Sequence, residues 1–349
     1  MTRSRPGAFL LCLVLTLAVL PGSAAAWIRS PATNFATLPP GSSGPEGLTV
    51  DAAGNVYVAT FGFTASGPVP LSPPGHNLFV FAPSGRLLHA VRVSGSSDHL
   101  LGLGINPATG DLLVIDFGAG NVRKVTDVST GASTVFMTVS GSPGLNAMTF
   151  DSAGNVYVSD SFQGIIWRVP ETGGAGTPWV SDPLLTTTGF PPFGANGLAF
   201  NKSEAALFVA NTGNDTMVKI PVSGSPLTPG TPAVFVNSIN GADGLITDDE
   251  DNLWVAANQA DEIVVVDPTG RVIAKLGDFG GIDPHGAPRG LFFPATPFFG
   301  NGFVYVTNLA LDLRLFDLPQ AVDSQWAAQV TTYTVSKIPA RIPPIAGLP

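Results

Sequence analysis

A short motif recurs six times along this chain, and no other feature restricts the fold as tightly. Glu46-Gly-Leu-Thr-Val-Asp51 is followed by Ala-Ala-Gly-Asn-Val-Tyr-Val58, and Asn146-Ala-Met-Thr-Phe-Asp151 by Ser-Ala-Gly-Asn-Val-Tyr-Val158. Leu101-Gly-Leu-Gly-Ile-Asn106, Asn196-Gly-Leu-Ala-Phe-Asn201, Asp243-Gly-Leu-Ile-Thr-Asp248 and Arg289-Gly-Leu-Phe-Phe-Pro294 open four further units. The starts lie 45 to 55 residues apart, the period of one four-stranded propeller blade. A third apolar run follows in each unit, at Asn77–Phe81, Val122–Val125, Ile165–Val169, Val218–Val222, Ile263–Val266 and Leu313–Phe316. A fourth follows at Leu87–Val93, Thr134–Val139, Pro178–Val180, Ala233–Val236, Val272–Leu276 and Val330–Val335. Asp-x-x-Gly-Asn between the first two runs reads as a tight hairpin. The sequence therefore predicts an all-β, six-bladed propeller with four antiparallel strands per blade and a central channel, and little helix.

Composition agrees. Charged residues make up only 12% of the chain, whereas Gly (41) and Pro (32) abound, as short strands joined by tight turns require. The net charge is −9, with no basic cluster, so neither nucleic acid nor an anionic membrane surface is an expected partner. Residues 1–26 have a basic start, an apolar stretch from Ala8 to Leu20 and an Ala24-Ala25-Ala26 end, the pattern of a secretory signal peptide. The expected organisation is signal peptide 1–26, lead-in 27–45, propeller 46–336 and a Pro-rich tail 337–349. After signal cleavage no membrane insertion is expected, and the protein is periplasmic or extracellular. Cys12 lies inside the signal, so the mature chain has no thiol or disulfide and relies on its core.

In a propeller the first strand of each blade lines the channel. The residue before each Gly-Leu then points at the axis, giving Glu46, Leu101, Asn146, Asn196, Asp243 and Arg289. Four of these are oxygen donors. Two carboxylates with two carboxamides suit a hard divalent cation such as Ca²⁺, while no His or Cys set has zinc-like spacing. Arg289 is positioned to bind a substrate anion or to pair with Glu46 or Asp243. His285 and His99 precede inner strands and are candidate proton carriers. The strand-end residues Asp116, Asp160, Asn211, Asn258 and Asn308 read as turn caps. The loop Asp182–Ala195, with Leu184, Phe190 and Phe193, and the Pro- and Gly-rich loop Phe61–His76 should emerge beside the channel mouth. Apolar loop residues next to a polar site suggest a partly hydrophobic ligand.

In Pro45-Glu46-Gly47, Leu145-Asn146-Ala147, Asn196-Gly197-Leu198 and Ala242-Asp243-Gly244 the chain resembles the senescence marker protein/gluconolactonase (regucalcin-like) lactonases, within the wider paraoxonase-like group. The resemblance implies that Glu46, Asn196 and Asp243, with Asn146, hold a divalent metal, with Ca²⁺ expected. It implies a lactone or ester substrate, with Asp243 activating water and Asn146 helping to hold the oxyanion. Two departures bear on substrate. Gly144 stands where gluconolactonases carry an Arg, and Leu101 where paraoxonases carry a His. The motif Asp-Ser-Ala-Gly-Asn-Val-Tyr-Val-Ser-Asp also resembles NHL-repeat propellers, which bind partners without catalysis. Strictosidine synthase-like enzymes share the fold without a metal.

Overall fold

The computed structural model describes residues 29–64, 67–68, 75–316 and 322–344. The proposed signal segment and parts of the Phe61–His76 loop lie outside the described residues. Six small antiparallel sheets surround one axis. Blade one comprises Pro45–Val50, Val56–Thr60, Leu78–Phe81 and Leu87–Val91. Blades two to five repeat that order from the inner strands Leu100–Ile105, Leu145–Phe150, Ala195–Phe200 and Ala242–Thr247. Each inner strand packs against the next, and the sixth against the first, so the ring closes. Among the described residues no helix is long and apolar enough to cross a membrane.

The sixth blade departs from the sequence expectation. Its inner strand is Pro294–Gly300, paired with Phe303–Asn308. Leu313–Phe316, expected as its third strand, is a 3-10 helix. The third strand is instead Thr334–Pro339, which overlaps only the end of the apolar run at Val330–Val335. The fourth is Thr33–Thr37, from the stretch expected to be a lead-in. The two ends of the propeller thus meet in one sheet, with Thr33 opposite Lys337 and Thr37 opposite Thr334. Backbone hydrogen bonds between sequence-remote segments supply the outermost strand of the last blade and tie the ends of the ring together.

The hairpins form as the motif demands. Asp51 accepts hydrogen bonds from the Ala53 and Asn55 amides, the Asn55 side chain and the Tyr57 hydroxyl. Asp151 repeats the arrangement with Ala153, Asn155 and Tyr157. On this face the blades are stitched together by side chains, including Asn106 to the Gly154 carbonyl (2.8 Å) and Asn301 to the Gly54 carbonyl (3.0 Å). Core clusters lie within and between blades. One joins Leu113, Ile115 and Val122 of blade two to Val156, Val158 and Trp167 of blade three.

Candidate metal centre at the channel mouth

A register irregularity interrupts every inner strand at the same point, between Pro45 and Leu48, Leu100 and Leu103, Leu145 and Met148, Ala195 and Leu198, Ala242 and Leu245, and Pro294 and Pro297. Bulges re-aim side chains, and the first residue inside each irregularity is the axial one. In blades one, two, four and five a glycine follows, and crowding requires it. A Cβ at Gly47 would lie 2.2 Å from the Leu101 carbonyl oxygen, one at Gly197 2.4 Å from that of Asp243, and one at Gly244 2.5 Å from that of Ala295. Each x-Gly pair therefore aims one side chain inward while the next blade's backbone closes on the glycine.

This register gives the axial set Glu46, Leu101, Asn146, Asn196, Asp243 and Ala295. Arg289 does not belong to it. The Arg-Gly-Leu triplet imitates the motif but lies in a small hairpin, Phe279–Ile282 with Pro288–Gly290, ahead of the true inner strand. Arg289 is exposed there. None of the residues lining the mouth cavity is Lys, Arg or His, so no ion pair with Glu46 or Asp243 replaces a metal among the described residues.

Glu46, Asn146, Asn196 and Asp243 all line one cavity of about 380 Å³. All four are buried. Each has a buried oxygen without a hydrogen-bond partner: Glu46 Oε2, Asn146 Oδ1, Asn196 Oδ1 and Asp243 Oδ1. Asn258 Oδ1, from the same lining, is a fifth. Buried polar atoms are normally paired, so five orphans in one cavity need a common explanation. The amides are also held in a defined sense. Asn146 Nδ2 donates to Ser161 Oγ (3.3 Å), which itself donates to the Ala195 carbonyl (2.6 Å). Asn196 Nδ2 donates to Thr212 Oγ1 (2.9 Å), which donates to the Ala242 carbonyl (2.7 Å). Both nitrogens are tied back and both oxygens left over. That orientation suits a cation, whereas the expected role of Asn146 at an oxyanion would call on its amide nitrogen, here bonded to Ser161.

The carboxylates behave as an unneutralised pair. Burial, then repulsion from Asp243, pushes the Glu46 carboxyl well above its usual range. Burial raises Asp243 to about 7, against the opposing pull of the Asn258 and Asn196 side chains and the Gly244 backbone N–H. A hard dication relieves both effects. Among the described residues no three His, Cys, Asp or Glu cluster together, because half of this donor set is carboxamide. The residues present fit a divalent cation with oxygen ligands.

Asn258 was read as a turn cap and does more. It sits one position past the ends of the equivalent second strands, level with Ser161 and Thr212. Its Nδ2 donates to Asp243 Oδ2 (2.9 Å), which leaves Asp243 Oδ1 free. Its own oxygen packs against Gly241, where a Cβ would approach to 1.8 Å. The post-strand positions in order are Phe61, Phe117, Ser161, Thr212, Asn258 and Leu309, and all but Ser161 line the cavity. Aligning the six units one residue beyond the second strand finds them in sequence. The other expected residues scatter. Phe193 lines the cavity. Phe190 packs against the Phe63–Phe293–Leu309 cluster, and Leu184 against the core between blades three and four. His99 lies outside the lining, with Nδ1 2.5 Å from the Phe61 carbonyl oxygen. His285 is exposed in the hairpin with Arg289.

Fold and site together define a six-bladed propeller with an acidic oxygen cluster at one end of its channel. Residues 117–277 match the family described as SMP-30/Gluconolactonase/LRE-like region, so the chain carries the region of the family its blade motifs resemble. No curated protein matches the sequence. Among solved structures, a luciferin-regenerating enzyme aligns at 15% identity and TM-score 0.62, over 88% of this chain and 95% of that one. A calcium-binding protein, regucalcin, from Agrobacterium tumefaciens aligns at 17% identity and TM-score 0.58, over 92% and 100%. A gluconolactonase from Xanthomonas campestris aligns at 12% identity and TM-score 0.59, over 90% and 100%. At such identities these structures share the fold.

Proposed function

We propose that this protein is a metal-dependent hydrolase of lactones or related esters, with Ca²⁺ held by Glu46, Asn146, Asn196 and Asp243. The observation that carries the reading is the convergence, in one cavity, of partnerless buried oxygens from four axial residues, two of them carboxylates. A bound divalent cation supplies Lewis acidity toward a carbonyl oxygen. The chain supplies the rest. Asp243, fixed through Oδ2 by Asn258, takes a proton from water as the water oxygen attacks the carbonyl carbon. It returns that proton to the leaving alkoxide as the acyl C–O bond breaks, so the carboxylate is regenerated. The surrounding apolar walls exclude bulk water and strengthen each electrostatic contact. The family match supports the reading, as do the calcium-binding and gluconolactonase relatives in fold. The leader sequence supports export, with action outside the cytoplasm.

Proton release assayed over aliphatic lactones, aldonolactones and aryl esters tests the proposal. Ca²⁺-loaded protein is expected to turn over at least one class. Turnover of none overturns the reading.

A further inference from the structure

The mouth cavity has a wall that the acidic cluster does not account for. Five rings from three blades and an adjoining loop run in sequence around it. Phe193 stacks on Phe162 (5.8 Å between centroids, 26°), and Phe162 meets Phe117 (5.9 Å, 77°). Phe117 meets Phe61 (5.5 Å, 60°), and Phe61 meets Phe63 (6.2 Å, 51°). All five line the cavity. Phe162 is 51% exposed, which is uncommon for so large an apolar side chain unless something covers it.

Its position has a local cause. A Cβ at residue 144 would lie 2.5 Å from Phe162 Cγ, so the ring occupies the space that any side chain at Gly144 would need. The cavity wall beside residue 144 is thus an aromatic surface. Among the described residues the rest of the lining offers little to a hydroxyl beyond the cation cage. Thr212 is engaged in two hydrogen bonds, and Asn258 gives its amide to Asp243, which leaves Asn258 Oδ1 as one further acceptor. A polyhydroxylated ring would bury hydroxyls without partners, at about tenfold in affinity for each. An alkyl chain would instead gain roughly two- to fourfold for each methylene laid on the rings.

We infer that the Gly144–Phe162 pair sets the substrate class: an uncharged lactone or ester whose alkyl or aryl chain lies on the Phe61–Phe117–Phe162–Phe193 arc, with aldonolactones rejected. The reaction named here rests on the hydrolase reading, whereas the ligand's apolar character does not.

The test has a kinetic and a binding arm. The kinetic arm compares kcat/KM for δ-decalactone, which bears a pentyl chain, with that for glucono-δ-lactone. Wild type should favour δ-decalactone by at least about 10²-fold. Phe162→Ala should cut that ratio about tenfold, and Gly144→Arg combined with Phe162→Ala should cut it further. The binding arm uses calorimetry with 2-pentylcyclohexanone, which carries the chain but cannot be hydrolysed. It should bind wild type and bind Phe162→Ala about five- to tenfold more weakly. Ketone binding of this pattern without turnover of any lactone would sink the hydrolase reading and support the apolar subsite. Lactone turnover with glucono-δ-lactone equal or preferred, and a ratio unmoved by Phe162→Ala, would overturn the inference and keep the hydrolase.

Discussion

Two halves of the channel mouth use the same backbone for opposite purposes. In blades three to five, both the axial and the post-strand positions are polar: Asn146 with Ser161, Asn196 with Thr212, and Asp243 with Asn258. In blades two and six both are apolar: Leu101 with Phe117, and Ala295 with Leu309. Blade one is mixed, with Glu46 on the axis and Phe61 behind it. The inner-strand bulge is common to all six, so the architecture aims side chains without choosing their chemistry. In the polar half, hydroxyls and amides hold the axial side chains so that Asn146, Asn196 and Asp243 each turn one oxygen into the cavity, and Glu46 of blade one adds the fourth. The apolar half leaves nothing to solvate the carboxylates, and burial accordingly heads the causes that raise Glu46 and Asp243. A cation site needs the first half, and its strength comes from the second.

The comparison breaks most visibly at Asp243. Asp243→Asn keeps the shape and removes a charge together with the base, so turnover should fall at least about 10²-fold. Phe117→Leu, a change of similar size on the apolar half, should cost less than about tenfold in kcat. Equal losses from the two substitutions, measured by steady-state kinetics, would mean that the halves do not divide the labour in this way.

A pH series sharpens the electrostatic side. Both carboxyls have native pKa values above their unfolded ones in the metal-free protein. The stability this contributes is fully present below the unfolded value of about 4 and is lost as pH rises through the native value, about 7 for Asp243. The melting temperature of chelator-treated protein should therefore decline between roughly pH 4 and 7 through Asp243, with Glu46 adding in the same direction. Saturating Ca²⁺ should flatten the curve, as should the double substitution Glu46→Gln with Asp243→Asn. A decline that persists unchanged in the double variant would locate the effect elsewhere.

The smallest expected effect belongs to the hydroxyl ties. Ser161→Ala or Thr212→Val frees the nitrogen of Asn146 or Asn196 and lets the amide turn. One lost neutral hydrogen bond is worth about 1 kcal/mol, so Ca²⁺ affinity should weaken about fivefold in a calorimetric titration. Unchanged affinity would show that the amides are held by packing alone.

The blade repeat made legible the fold and the convergence of four candidate residues on one cavity, because Glu46, Asn146, Asn196 and Asp243 are each marked by sequence neighbours that recur. Blade six was misread for a physical reason. Arg289-Gly-Leu copies the motif by sequence, whereas the true strand, beginning Pro294-Ala295-Thr296, lacks the glycine that marks most others. Nor does any local pattern announce that Thr33–Thr37 pairs with Thr334–Pro339, since that pairing joins the two ends of the chain. Asn258 looked like its neighbours in the list of strand ends, yet it lies one residue further along, and that single step turns a cap into a hydrogen-bond donor to Asp243. The aromatic wall was only partly foreseen through Phe193. Phe61, Phe117 and Phe162 come from three separate blades and meet only in space.

Ca²⁺ titration of chelator-stripped protein by isothermal calorimetry, paired with thermal melting, tests the central claim most directly. The account predicts one site per chain in the wild type, and stabilisation of about 2.7 kcal/mol when free Ca²⁺ reaches a hundred times Kd. Both should be lost in Glu46→Gln and Asp243→Asn. No binding heat with Ca²⁺, Mg²⁺ or Mn²⁺, together with a melting temperature indifferent to all three, would contradict it.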